Sequence, residues 1–352
     1  MGRCCLLGAL ILICAGGLLA ARVSWWWLVA ALGALTSEAL VITAWPDART
    51  GTLANALVLL GAVHGYASSG PRSLRTEYQR LARQALARPA TGGNIGHADL
   101  AAMPPAVAAY LAYTGAVGRP PVKSFRAQIH GRIRAGRDEP WMSFTGEQVN
   151  SYGPSPQRLF LMDATMRGLP VDVFHAFTAE TATMRVRLCS MLPLVDAEGD
   201  ALTRAETVTV TLFNDLCVLA PAALPGADVS WRELDDHRVV GTFTSGAHTV
   251  AAELAFDKDH RLVDFVSDDR LRSAQDGKSF RRQRWSTPIR SYDTFDGHRV
   301  ASRAEAWWHD GVTPDGFCYL DLQVDDLRYK AESSAMLGIR PVERSADERH
   351  RV

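Results

Sequence analysis

Apolar positions fill the first 70 residues almost without interruption, and alternation replaces them later in the chain. Residues 4–21 form an apolar run. Residues 23–45 form a second that carries Ser37 and Glu38, and residues 52–67 a third with Asn55 and His64. A spanning helix needs about 20 apolar residues. Residues 1–70 are therefore expected to hold about three transmembrane helices, with two spans and an interfacial piece as the alternative. Trp25, Trp26 and Trp27 open the second run, where amphipathic rings favour the membrane interface. A cleaved signal peptide is the competing reading of residues 4–21, and the second run would then still anchor the chain.

Residues 71–119 change character. Arg72, Arg75, Arg80, Arg83 and Arg88 share a helical pattern with Leu74, Tyr78, Leu81 and Ala85 on its other face. This predicts a basic amphipathic helix lying on the membrane surface. A loop and a short helix over Pro105–Tyr113 follow, the helix with proline in its first turn and Gly115 just past its end. Pro120 and Pro121 open the next region.

Residues 120–332 read as strands. Phe125, Ala127, Ile129 and Ile133 alternate with Arg126, Gln128, His130, Arg132 and Arg134, giving one buried and one wet face. Leu159, Phe160, Leu161 and Met162 are apolar on both faces, as in an enclosed strand. About eleven strands with short turns predict an antiparallel meander. One stretch breaks the pattern. In residues 203–220, Thr203 and Glu206 have the spacing of a capping box. Val208, Leu212, Leu216 and Leu219 fall on one helical face with Phe213 and Cys217 beside them. The β-branched run at residues 207–211 favours a strand, but cap, length and spacing outweigh it. A helix is expected here, with Thr209 on its exposed side. The expected fold class is α+β: N-terminal transmembrane helices followed by a curved, half-barrel-like antiparallel sheet packed on one central helix. The tail over residues 333–352 has no periodicity and is expected to be poorly ordered.

Charge refines this picture. Lys plus Arg and Asp plus Glu both number 38 in the 352 residues, so no basic excess points to nucleic acid. Arg22 and the five arginines after the third run favour a cytoplasmic C-terminal domain by the positive-inside rule. Of the six Cys, Cys189, Cys217 and Cys318 lie outside the N-terminal runs. They are too widely spaced for a disulfide framework or a zinc site. No phosphate-binding loop, metal-binding helix or nucleophile elbow is present in the sequence, and no cofactor or metal is expected.

The candidate chemistry is sparse. Asp269 and Arg270 end one strand. Glu305, Trp307 and His309 share a strand face, where they could line a pocket or simply be wet. Asn214 and Asp215, beside Phe213, could aim into a cavity or cap sheet edges. His175 lies in a strand pattern, as a structural imidazole would. Glu38 is an ionisable residue within an apolar run, and such residues are functional candidates or pair locally; Asn55 and His64 are its nearest prospective partners.

Several motifs keep a familiar order. They include Met103-Pro-Pro-Ala-Val-Ala-Ala-Tyr-Leu111, Trp141-Met-Ser-Phe-Thr-Gly-Glu-Gln148, Arg158-Leu-Phe-Leu-Met-Asp163, Gly168-Leu-Pro-Val171, Phe265-Val-Ser-Asp-Asp-Arg270 and Trp285-Ser-Thr-Pro288. Together they resemble an uncharacterised bacterial domain-of-unknown-function family, which implies no activity and no catalytic residue. The expected architecture is also similar to the half-barrels of bacterial lipoprotein carriers, although a fold does not fix a function.

Three functions fit these patterns. The first is a membrane-anchored module that binds an apolar or lipid-like ligand between sheet and helix, through Phe160, Met162, Leu212, Phe213 and Leu216. The second is an enzyme on a membrane-proximal substrate, using Asp269, Arg270, Glu305 or His309. The third is a structural or assembly protein of the membrane. The expected partners are membrane lipid and an apolar small molecule.

Overall fold

Alternation after Val122 produces one continuous antiparallel sheet. The computed structural model describes residues 2–87, 93–178, 181–198, 206–273, 280–311 and 316–330. Among these lie the strands β1 (Ser124–Ile133), β2 (Met142–Ser151), β3 (Gln157–Met166), β4 (Leu169–Thr178), β5 (Thr181–Leu188), β6 (Leu192–Glu198), β7 (Val229–Asp235) and β8 (Arg238–Ser245). They continue with β9 (His248–Phe256), β10 (Leu262–Ser267), β11 (Leu271–Ser273), β12 (Phe280–Arg282), β13 (Trp285–Ser286), β14 (Ile289–Phe295), β15 (His298–Trp308) and β16 (Phe317–Tyr329). Fourteen strands join the main sheet, and β11 with β12 forms a separate ribbon.

The expected eleven strands were too few. The surplus lies in strands that alternation does not mark. β6 contains Pro193 and is an edge strand, where proline costs no ladder bond. β14 carries Arg290, Ser291, Asp293 and Thr294 among its seven residues, and β13 has only two residues.

The sheet is two meanders rather than one. Strands β1 to β6 run outward in order from β1, and the other half runs β16-β15-β13-β10-β9-β8-β7. They meet where β1 pairs with β16, Phe125 opposite Tyr329. The two edges, β6 and β7, are far apart in the sheet but consecutive in the chain. The helix α8 (Glu206–Val218) lies between them in sequence.

α8 shows that the sheet is curved. Its Asp215 is bonded to Gln148 and Asn150 of β2 and Arg158 of β3. Its Phe213 ring lies 5.2 Å from Phe243 of β8 and 5.3 Å from Phe265 of β10. In a flat sheet β2 and β8 would stand seven spacings of about 4.8 Å apart, roughly 34 Å. One helix about 10 Å across reaches both only if the sheet wraps around it. Gly241 lets Phe213 close, because a Cβ there would sit 2.7 Å from the Phe213 ring.

Enclosure explains where the helix departs from expectation. Thr209 and Val210 are fully buried, as are Leu212 and Phe213, so α8 has no wet side here. A helix covered all round needs no amphipathic stripe, and packing overrides the weak propensity of its β-branched run. The expected cap at Thr203 lies outside the described residues. At the other end, Tyr110 donates to the Cys217 carbonyl at 2.8 Å and the Tyr329 hydroxyl donates to that of Leu219. Two tyrosines thus meet orphan carbonyls of the last turn.

The remaining helices are α1 (Gly2–Ala20), α2 (Trp26–Thr43), α3 (Trp45–Ala48), α4 (Gly51–Ser69), α5 (Leu74–Leu86), α6 (His97–Ala101) and α7 (Pro105–Tyr113). Where three spans were expected, α2 alone among the described residues is long and apolar enough to cross a membrane. Such a helix near the N-terminus fits a membrane anchor and a signal sequence alike. Glu38 accepts from Thr52 and Asn55 of α4, both at 2.8 Å. His64 instead meets the Cys189 carbonyl at 3.0 Å. The apolar face of α5 packs on the outside of the sheet: Leu74, Tyr78, Ala82 and Ala85 cluster with Val149, Leu159, Leu161 and Phe174. The face read from the sequence as membrane-lying is thus covered by strands. This also explains the two-sided strand β3, whose Leu159 and Leu161 meet α5 while Phe160 and Met162 join the interior cluster.

Candidate functional site

Polar residues gather at one level of α8. Asn214 and Asp215 face a cavity of about 100 Å³ between the helix and the sheet. Its apolar wall comes from Val218 and Leu219 on and just after α8, Ala304 and Ala306 on β15, and Leu320 and Leu322 on β16. A single water needs roughly 10–15 Å³ by this kind of measure, so the space exceeds a hydration site.

A buried network fixes the polar end. Asp215 Oδ2 accepts from Arg158 Nε at 2.6 Å, Gln148 Nε2 at 2.7 Å and Asn150 Nδ2 at 3.0 Å. The two side chains of the ion pair are 10% and 9% exposed, so water screens the pair little. Strand alternation supplies these donors. Gln148 and Asn150 occupy successive inward positions of β2, opposite Phe160 and Arg158 of β3. Asn214 donates to Thr287 at 3.1 Å.

His175 of β4 completes the network. Its Nδ1 lies 3.1 Å from Arg158 Nη1. A guanidinium is only a donor, so Nδ1 accepts and the neutral ring carries its proton on Nε2. Burial, then the positive charges of Arg158 and Arg270, push the imidazole down to about 3. His175 is therefore neutral at physiological pH.

Arg270 stands opposite. Its guanidinium carbon is 4.1 Å from the Trp285 ring centroid and 5.4 Å from that of Trp308. Burial is the largest influence on it and pulls it below the ordinary arginine value, while Tyr319 and Asp215 act the other way. It stays charged, as arginines do.

The sequence-derived candidates divide. Arg270, Glu305, Asn214 and Asp215 border the cavity. Asp269 accepts from the Ala251 amide at 2.7 Å and from Arg282 at 2.8 Å, as a turn-holding carboxylate. The Glu305 carboxylate accepts from Arg290 at 2.7 Å and from Trp307 at 2.8 Å, so it is already paired. His309 meets Ser286 at 2.8 Å. Of the four charged candidates, Arg270 and Glu305 thus border the cavity, Glu305 already paired with Arg290, while Asp269 and His309 stand outside its lining. Phe160, Met162, Leu212, Phe213 and Leu216 are packed in the interior cluster, and the cavity lies along the neighbouring helix face of Thr211, Asn214, Asp215 and Val218. Arg158, Gln148, Asn150, His175 and Tyr319 were not foreseen as site residues. Among the described residues no group of acidic, His and Cys side chains is arranged to hold a metal ion.

A protein-family model matches residues 93–322, a span that contains the whole polar network and the cavity wall up to Leu322. The chain belongs to the DUF6544 family of unknown function. No curated protein matches it. Several solved structures are similar to the DUF6544 chain. One is a DUF1329 family protein from Desulfovibrio piger, 13% identical, covering 69% of this chain and 96% of that one at a TM-score of 0.37. Another is a LolA superfamily protein from Nitrosomonas europaea, 14% identical, covering 60% and 88% at 0.34. A third is a domain named for outer membrane lipoprotein sorting from Vibrio parahaemolyticus, 10% identical, covering 60% and 88% at 0.33.

Proposed function

We propose that this protein is a membrane-anchored binding module whose cavity between α8 and β15–β16 takes the apolar part of a lipid-like ligand. The observation that carries the reading is the cavity itself, apolar along one wall and polar and buried at one end, which is the usual make-up of a small-molecule site. Phe160, Met162, Leu212, Phe213 and Leu216 serve in this reading as the packed floor that keeps the space open. A binding site needs such a rigid support.

Anchoring falls to α1, α2 and α4, as three spans with the sheet domain on the cytoplasmic side. Leu7, Leu10 and Ile13 of α1, Leu32 and Leu35 of α2, and Leu53, Leu57 and Leu60 of α4 are each at least half exposed. Apolar surface on that scale is rare where only water is met. The α2–α4 pairing of Glu38 with Asn55 and Thr52 supports a bundle whose polar groups satisfy one another.

The test is native mass spectrometry of the full-length protein in non-ionic detergent, titrated with ten-carbon amphiphiles. Saturable one-to-one binding is expected, with loss in Ala306→Phe, which places a ring in the cavity. Binding that Ala306→Phe leaves intact would put the ligand elsewhere.

A further inference from the structure

We propose that the polar end of the cavity is an anion site, in which Arg270 receives the carboxylate or phosphate group of the ligand; this rests on the binding reading above. Arg270 sits between β10 and β11 with its Nε buried and without a hydrogen-bond partner. The acidic residues beside it in sequence are turned elsewhere. Asp269 is held by the Ala251 amide and Arg282, and Asp268 lies 3.3 Å from Arg284. Of the carboxylates that border the cavity, Asp215 is taken by Arg158 at 2.6 Å and Glu305 by Arg290 at 2.7 Å.

The charges inside the cavity therefore do not cancel. Arg158 and Asp215 neutralise one another, Glu305 is paired with Arg290 and Arg303 with Asp321, His175 is neutral, and Arg270 leaves one positive charge in excess. A buried Nε–H without a partner is costly until an acceptor arrives. Its planar fork matches the two oxygens of a carboxylate or phosphate. The aromatic faces of Trp285 and Trp308 hold it in place. Tyr319 adds a donor: its hydroxyl accepts from Trp285 Nε1 at 3.1 Å and from the Arg270 guanidinium, which leaves its own proton for an incoming oxygen.

The source of the anion is either the head of an amphiphile or a free oxyanion, and the experiment separates them. Full-length protein in non-ionic detergent is titrated with decanoate, decyl phosphate and decanol by native mass spectrometry. Inorganic phosphate alone is tested by thermal shift. The two anionic amphiphiles should bind about tenfold or more tightly than decanol, in keeping with a charge-assisted bond. Arg270→Gln should erase that preference while retaining decanol binding, and Arg270→Lys, which keeps the charge but not the fork, should retain part of it. Decanol binding as tightly as decanoate, with Ala306→Phe blocking both, would overturn the anion site and leave the cavity reading standing. Phosphate that stabilises the wild type but not Arg270→Gln, with no amphiphile bound, would uphold the anion site and overturn the lipid-like reading. Binding of none of the four probes would overturn both.

Discussion

Removing one member of the Arg158–Asp215 pair should cost far more than removing both. At an effective dielectric of about 20 and roughly 4 Å between charge centres, their attraction is about 4 kcal/mol. Asp215→Ala leaves the Arg158 guanidinium buried, with His175 Nδ1 and Gln148 Oε1 as neutral acceptors and the positive charge of Arg270 nearby. The expected loss is about 3–5 kcal/mol, the usual cost of stranding one partner of a buried pair. Arg158→Met should cost somewhat less, about 2–4 kcal/mol, because Gln148 and Asn150 still donate to Asp215. The double variant Arg158→Met, Asp215→Leu removes both charges and should cost only about 0–2 kcal/mol. Urea midpoints of the full-length chain in detergent, followed by tryptophan fluorescence at constant slope, give the three values. The coupling in this cycle should then exceed about 2 kcal/mol. Single losses below about 1 kcal/mol that simply add would refute the claim that the pair is desolvated and central.

Other positions give independent tests. A Cβ at Gly131 would lie 2.1 Å from the Asp321 carbonyl oxygen, in a strand clamped by β16 on one side and β2 on the other; Gly131→Ala should cost at least about 2 kcal/mol, whereas Gly136→Ala, whose nearest neighbour is the Glu139 side chain at 3.5 Å, should be near neutral in the same urea assay. Burial raises Asp264 to about 6, so the folded state holds its proton between pH 3.8 and 6 and its stabilisation is lost as pH rises through 6. Asp264→Asn should gain about 1–3 kcal/mol at pH 8 and nothing at pH 4. His175 acts with the opposite sign: the unfolded chain takes up a proton below about 6.5 and the folded one only near 3, so stability on the order of 5 kcal/mol drains away as pH falls across that window, and His175→Gln should flatten the slope. Protease added to intact spheroplasts should spare the sheet domain; cleavage there, with a cytoplasmic control intact, would reverse the proposed orientation.

Much of the fold was legible because its local signals agree. Alternation in β1 and the apolar faces of β3 marked strands, and the spacing of Leu212, Leu216 and Phe213 marked a helix despite β-branched residues. What alternation could not supply was the environment of each face. Leu159 and Phe160 read alike, yet one meets α5 and the other the interior. The apolar face of α5 read as membrane-lying because an apolar stripe flanked by arginines looks the same against lipid or against a sheet. In the structure Arg75 reaches Asp163 at 2.6 Å and Arg185 reaches Glu77 at 2.7 Å, so part of that charge ties the helix to the sheet. The short strands β13 and β14 owe their existence to pairing with β15, and a partner strand leaves no mark on their own sequence.

The site was legible only halfway, for a physical reason that also says where to look. A lipid-like ligand wants apolar walls, which points to the large apolar residues, but large apolar side chains pack against one another and close the space between them. Leu212, Phe213 and Leu216 do so. A cavity persists where groups that must keep hydrogen-bond geometry interrupt that packing. The interruption was in the sequence: Arg158 is two residues from Phe160 and four from Met162, so strand alternation puts a guanidinium on the same inward face. Asp215 is three residues after Leu212, so the helical period puts a carboxylate near the same buried surface. An inward arginine on a strand and an inward aspartate on the one helix inside the sheet imply each other, since neither tolerates burial alone. Arg270 follows the same logic one step further. It is an inward charge for which the chain provides no carboxylate partner among the described residues, and that mismatch, rather than any motif, marks the place where a ligand would complete the structure.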